Sequence, residues 1–180
     1  MNPAAASIRQ ATLQDREALE RLIAGSARAL ASGAYTPEQI EAALGSAFGV
    51  DTQLIRDGTY FVAQVQGCIV GCGGWSRRRT LFGADAHGQR DAAELEPGKD
   101  AARIRAFFVD PAHARQGIGS AILEHCESEA RGRGFRRLEL VAMLSGVDFY
   151  LVHGYEAGTP VRHELGGGLV LELLPMSKHV

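Results

Sequence analysis

The stretch from Ala102 to Ala142 constrains the fold more than any other part of the chain. ARIRAFFV, Ala102–Val109, is rich in branched and aromatic residues and is halted by Asp110-Pro111, which reads as a strand and its stop. A helix is predicted from about Gly117 to Arg131. Ile118, Ile122, Cys126 and Ala130 recur on one face, with Glu124, Glu127 and Arg131 away from it. Gly132 and Gly134 stop that helix, and RRLELVA, Arg136–Ala142, reads as a second strand. Strand, helix, strand reads as a βαβ unit, so the two strands should be parallel.

The rest of the chain must extend that sheet. Ser7–Arg9 reads as a short first strand. Thr12 to Asp15 reads as a helix-start box, followed by Leu19, Leu22, Ile23, Ala27 and Leu30 at helical spacing, with Gly33 as the stop. Thr36-Pro37-Glu38-Gln39 opens a second helix carrying Ile40, Ala43 and Leu44. Thr59–Val65 and Cys68–Trp75 flank Gln66-Gly67 and predict an antiparallel hairpin. A short helix is expected from about Val147 to His153, ended by Gly154, and LVLELLPM reads as a closing strand. The fold class that results is α/β: one domain over residues 1–180, with a mixed parallel and antiparallel sheet and helices on both faces. Ser76–Asp100 is polar and Gly-rich, and is expected to be an inserted loop.

Composition narrows the function classes. The chain has 180 residues, 46% hydrophobic and 22% charged, with net charge −2, so nothing global recruits nucleic acid or a membrane surface. Cys68, Cys72 and Cys126 form no C-x-x-C pair, which fits a reducing compartment. The start, MNPAAASIRQAT, lacks the basic and apolar regions of a signal peptide, and no apolar run reaches the ~20 residues of a membrane span. The expected location is cytoplasmic. His87, His113, His125, His153 and His163 show no metal spacing, so no metal is expected.

Two glycines, Gly117 and Gly119, stand where the long helix begins. A helix start leaves backbone N–H groups unpaired and carries partial positive charge, and glycines let a phosphate approach them. Ser120 adds a hydroxyl, Arg115 adds charge, and Ile118 anchors the turn. A phosphate or pyrophosphate seat is one reading; a tight strand-to-helix turn with no ligand is the other. The chain has no G-x-x-x-x-G-K-[ST] loop. It has no third glycine at Rossmann spacing, and the turn lies late in the chain.

RAFFVDPAHARQGIGSAILEHCESEARGRGFRRLELVA resembles the acetyl-CoA-binding core of the GCN5-related N-acetyltransferases, the GNAT family. The resemblance rests on Val109-Asp110-Pro111, Gly117-Ile118-Gly119, Phe149-Tyr150 and Gly154-Tyr155, in that order, with IRQATLQD and YTPEQI also similar. It implies two parallel strands that splay apart and hold pantetheine between them. Phe107, Phe108 and Val109 would pair with that arm as an added strand does. The amides of Gln116, Gly117, Ile118, Gly119 and Ser120 would hold the pyrophosphate, with Arg115 beside them. Three positions depart from the family pattern. Ala114 stands where Gln or Arg is usual, Ser145-Gly146 where an Asn often opens the later helix, and Arg105 where a Glu base often stands. Backbone amides do most of the phosphate binding, so the site is expected to survive, with Ser145 near the cofactor.

The activity implied is transfer of acetyl from acetyl-CoA to a primary amine, on a small molecule or on a protein N-terminus or lysine. That needs a base, an oxyanion donor and an acid for the leaving thiolate. Tyr150 matches the acid position; the other reading is an aromatic packed beside Phe149. A backbone N–H of the Ala102–Val109 strand, at Phe108 or Val109, is the expected oxyanion donor. For the base, Glu94, Glu96 and Asp100 precede the strand, and Asp148, Glu139 or a water path are further options. Arg103 and Arg105 share a strand face and suggest an acceptor bearing a carboxylate or phosphate. Arg77, Arg78 and Arg79 fit better as charges paired with Asp85, Asp91, Glu94 and Glu96. Tyr35, Trp75 and Phe82 are core or acceptor-pocket residues, and Cys68 and Cys72 are expected on one buried strand face. The alternative function is an acyl-CoA-binding regulatory module with this fold and little turnover. A homodimer is compatible with the family.

Overall fold

The computed structural model describes residues 6–87 and 90–180. The first five residues and two positions of the Ser76–Asp100 segment, Gly88 and Gln89, lie outside the described residues, and the leader reading of MNPAA falls there. In chain order the elements are β1 (Ser7–Gln10), α1 (Arg16–Leu30), α2 (Pro37–Leu44), α3 (Thr52–Arg56), β2 (Tyr60–Val65), β3 (Cys68–Ser76) and β4 (Ala102–Val109). After these come α4 (Ile118–Gly132), β5 (Arg137–Met143), α5 (Val147–Val152), β6 (Glu156–Ala157), β7 (Val161–Gly166) and β8 (Leu169–His179). Among the described residues no helix is long and apolar enough to cross a membrane.

The sheet runs β1-β2-β3-β4-β5-β8-β6, with β7 also on β8, and it is mixed, as expected. β1 to β4 pair antiparallel, β4 and β5 pair parallel, and β8 returns antiparallel to β5. Local chemistry starts the helices. Thr36 Oγ1 accepts the Gln39 amide at 3.3 Å while Gln39 Oε1 accepts the Thr36 amide at 2.8 Å. The Thr12 amide donates to Asp15 Oδ2 at 2.7 Å, closing a single 3₁₀ turn before α1. Alternation along β2 sends Tyr60 and Val62 to one core and Phe61 and Ala63 to the other.

α1 and α2 cover one face through Leu19, Leu22, Ile23 and Ile40; α4 covers the other through Ile118, Ile122, Leu123 and Cys126. Each fully buried aliphatic side chain of this kind contributes about 1.5–3 kcal/mol. The stripe on α4 therefore fixes its rotation on the sheet, and with it the direction in which its N-terminus points.

β4 and β5 pair only at Ala102↔Leu138 and Arg103↔Glu139, then part. The cause lies in β4. Arg105 is opposite Gly74 and Phe108 opposite Cys72, so β4 carries an extra residue there, and Ala106 takes φ +56. Such a bulge bends and twists its strand, here away from β5.

Several expectations need correction. α1 stops at Leu30, before Gly33, where the Ala31 amide closes the last turn on Ala27. α3 is an additional helix; buried Asp51 caps it by accepting the Gln53 amide at 3.1 Å. β7 is an additional strand, and it turns into β8 through three positive-φ glycines, Gly166 to Gly168. Cys68 is exposed and Cys72 buried, because a register shift between Ala63 and Gln64 breaks the alternation of β3. Glu127 is buried: Tyr155 Oη donates to it at 3.0 Å and Lys178 Nζ at 2.8 Å. The Ser76–Asp100 segment is pinned where described. The Leu95 amide donates to Arg77 O at 2.7 Å, the Arg79 amide to Ala93 O at 2.9 Å, and Leu95 is buried.

Candidate active site

Where β4 and β5 part, a cavity of about 1080 Å³ opens, in the upper range of small-molecule sites. Phe107, Phe108 and Val109 form its wall on β4. Arg115, Gly117, Ile118, Gly119 and Ser120 border one end of it, Tyr150 lines it from α5, and Ser145 lies in the turn before α5. Of the residues expected here, Gln116 is not in the wall; its side chain turns back and donates to Ala112 O at 3.2 Å.

The two glycines do different work. Gly117 is the N-cap of α4 at φ +82, a conformation that a side chain disfavours, although a Cβ there would touch nothing. At Gly119 the reason is packing: a Cβ would sit 3.3 Å from the Phe149 ring. Ala121 is the first residue whose amide bonds back into the helix, to Gly117 O at 3.0 Å. The amides of Ile118, Gly119 and Ser120 therefore have no helical partner and bear the positive end of the helix dipole. This backbone cradle fits a diphosphate.

α5 is clamped onto that turn. His153 Nδ1 lies 2.7 Å from Phe149 O, and its Nε2 lies 3.0 Å from Ser120 Oγ. The ring also tilts against Phe149, centroids 4.5 Å apart. The sequence reading gives His153 no role, for want of metal spacing. Its link to Ser120 joins residues 33 apart in the chain and leaves no local signal. Among the described residues no group of three or more His, Cys, Asp or Glu is placed to hold a metal.

Tyr150 is buried, its ring edge-on to Phe149 and Phe107. Burial pushes its phenol well above the ordinary range, and buried Cys126 adds to the shift. Among the described residues nothing hydrogen-bonds its hydroxyl. Of the two backbone N–H groups expected to meet an oxyanion, that of Val109 donates to Ser26 Oγ on α1, at a long 3.3 Å. Nothing in the sequence around Ser26 marks it for this contact.

The candidate bases lie elsewhere. Glu94 is bound by Arg77 at 3.2 Å, Glu96 by Lys99, and Asp100 accepts the Glu96 amide at 2.8 Å. None of the three borders the cavity, and Glu139 is taken by Arg103 and Arg137. Asp148 is the only acid in the wall among the described residues.

The cationic wall is likewise not free. Arg105 borders the cavity, but its side chain is 3% exposed and its Nη2 lies 2.8 Å from Asp51 Oδ2 and donates to Gly83 O at 2.6 Å. Arg90 binds the same aspartate at 2.6 Å. Burial pushes the Arg105 guanidinium down, and Asp51 opposes that. Arg78 forks onto Asp57 at 2.6 and 2.8 Å, a partner sequence spacing did not suggest, and holds that carboxyl below the usual range. Of the three aromatics, only Phe82 reaches the cavity. Trp75 packs on Phe135, and Tyr35 Oη donates to Glu172 O at 2.6 Å.

Comparison with known proteins agrees with this architecture. The sequence profile of the Acetyltransferase (GNAT) family matches residues 27–155. No curated protein sequence matches the chain. Among solved structures, the chain is similar to a GCN5-related N-acetyltransferase from Rhodopseudomonas palustris, with 19% identity, TM-score 0.73, and 100% and 99% of the two chains covered. It is similar to the PaiA N-acetyltransferase of Thermoplasma acidophilum, solved with coenzyme A, at 14% identity and TM-score 0.66 over 98% and 99%. A ribosomal-protein-alanine N-acetyltransferase from Brucella melitensis matches at 21% identity and TM-score 0.64 over 97% and 99%. At these identities the likeness is one of fold.

Proposed function

Because the chain belongs to the acetyltransferase (GNAT) family, we propose that it moves the acetyl group of acetyl-CoA directly to a primary amine, on a small molecule or on a protein N-terminus or lysine. The observation that carries this reading is the parting of β4 from β5 beyond Arg103↔Glu139, which leaves a strand edge facing a cavity with the glycine turn at one end. In this reading the amides of Gln116 to Ser120, with Arg115, hold the pyrophosphate. The edge at Phe107, Phe108 and Val109 pairs with the pantetheine arm, and Ser145 closes the wall before α5.

Acetyl-CoA supplies a thioester whose thiol, by analogy with cysteine, has a pKa near ~8.5, so its departure is eased by a proton donor. Tyr150 holds that proton. Burial raises its phenol, so the donor stays protonated at neutral pH. The Val109 N–H would meet a developing negative oxygen by exchanging its long bond to Ser26 Oγ for it. The amine's proton leaves through water or to Asp148, the acid in the wall.

A second reading, an acyl-CoA-binding module with little turnover, has one observation on its side: Glu94, Glu96 and Asp100 all lie outside the cavity wall. Calorimetric titration with acetyl-CoA, with ATP and NAD as controls, tests the shared part of both. Binding of acetyl-CoA alone is expected, and a folded sample that binds none of the three refutes both readings. Release of free thiol with a panel of primary amines then separates them, since the module predicts no amine-dependent release.

A further inference from the structure

We propose that His153 is a proton-coupled positioning residue for the phosphate seat: it sets where the Ser120 hydroxyl proton points, so that binding of the diphosphate takes up a proton. This rests on the reading that the start of α4 seats the coenzyme A diphosphate.

The two ring contacts determine the direction of each hydrogen bond. Phe149 O can only accept, so Nδ1, 2.7 Å away, carries a hydrogen. In the neutral ring Nε2 then has a lone pair, and the bond at 3.0 Å runs from the Ser120 hydroxyl to Nε2. Serine has one hydroxyl proton. While it points at His153, Ser120 can offer an anion only lone pairs. A proton from solvent onto Nε2 reverses the bond: Nε2–H donates to Ser120 Oγ, and the serine proton turns toward the anion. The same proton places a positive charge beside a helix start that already favours anions. Binding and protonation thus favour one another, and the affinity falls as pH rises.

The geometry that holds this pair is specific. Gly119 has no Cβ, so Phe149 approaches to van der Waals distance, and the His153 ring lies on Phe149. The charged and titratable groups on the surrounding elements are Asp148 and Tyr150 on α5, Asp110, His113 and Arg115 before α4, Glu124, His125, Cys126, Glu127, Glu129 and Arg131 on α4, and Glu172, Lys178 and His179 on β8. Glu127 is already paired with Lys178, and His113 with Asp110 at 3.3 Å. Neither ring nitrogen of His153 is in a salt bridge among the described residues.

The test is calorimetric titration with dephospho-CoA at pH 6.0 to 7.5, in paired buffers of different ionisation heat. Dephospho-CoA lacks the phosphomonoester whose second proton leaves near ~6 and would add its own pH dependence. The wild type is expected to bind at least about fivefold more tightly at pH 6.0 than at pH 7.5, taking up a fraction of a proton that approaches one. His153→Gln, whose amide can donate to Ser120 at any pH, is expected to bind with little pH dependence. Ser120→Ala, which keeps the ring but has no hydroxyl to turn, should have a shallower slope. A wild-type slope matched by His153→Gln, or a flat wild type that still binds, overturns the coupling alone. If His153→Gln does not fold, a full slope in Ser120→Ala overturns it instead. No binding by folded wild type at any pH removes the phosphate seat itself and the proposal with it.

Discussion

Replacing Tyr150 by Phe separates chemistry from packing unusually well in this molecule. The ring is buried among Phe107, Phe149 and Tyr155, and Phe preserves all of those contacts. The hydroxyl has no hydrogen-bond partner among the described residues, so its loss leaves no broken bond behind. The variant should therefore melt close to the wild-type temperature. A positioned proton donor contributes about 10²–10⁴-fold to rate, equivalent to about 2.7–5.4 kcal/mol of barrier. Release of free thiol should accordingly fall at least about 100-fold in kcat, with acetyl-CoA affinity by calorimetry within about twofold of wild type. Turnover within about threefold of wild type would refute the acid role. A clear fall in melting temperature would refute the premise that the hydroxyl is unpartnered.

At the helix start, Gly117→Ala should cost about 1–2 kcal/mol of stability, because φ +82 is a left-handed conformation. Gly117→Glu should in addition abolish acetyl-CoA binding by placing a carboxylate in the phosphate seat; calorimetric binding by a folded Gly117→Glu protein would remove that seat. The Arg9 hydrogen bond, with help from Thr12, holds the Asp15 carboxyl at about 2, below its ordinary ~3.9. Its stabilisation is thus present above about pH 4 and lost as pH falls through 2. Arg9 is 38% exposed, so solvent screening limits the contribution to about 1 kcal/mol. Asp15→Asn should be less stable than wild type by that amount at pH 7 in urea unfolding, and nearly equal to it at pH 1; an unchanged gap at pH 1 would contradict the pairing with Arg9.

What was legible in the sequence was what neighbouring residues decide. The β4–α4–β5 unit follows from periodicity and from Pro and Gly stops, and its observed bounds lie within a residue or two of those expected. Helix starts at Thr12 and Thr36 follow from side chains that reach only three residues along the chain. Two glycines ahead of an amphipathic helix already specify unpaired amides, because every α-helix leaves its first turn unsatisfied. The family motifs compress the same physics into short words, which is why their order along the chain suffices to link Phe149-Tyr150 to the turn at Gly117.

What escaped was decided by partners distant in sequence. Arg105 reads as a free cation, yet Asp51, 54 positions earlier, neutralises it, since burying either charge alone would be prohibitive. Glu127 reads as a solvated helix residue until β8 brings Lys178 over it. The splay itself depends on one extra residue in β4, visible only when β3 is laid beside it. The amino-acid order by itself determined the β4–α4–β5 unit and the unpaired amides at the start of α4, because hydrogen bonds and apolar periodicity act over a few residues. Tertiary structure alone decided which charges are free, which hydroxyl is unpartnered and which histidine meets Ser120, because a polar group's state is set by whatever the fold places within about 3 Å of it.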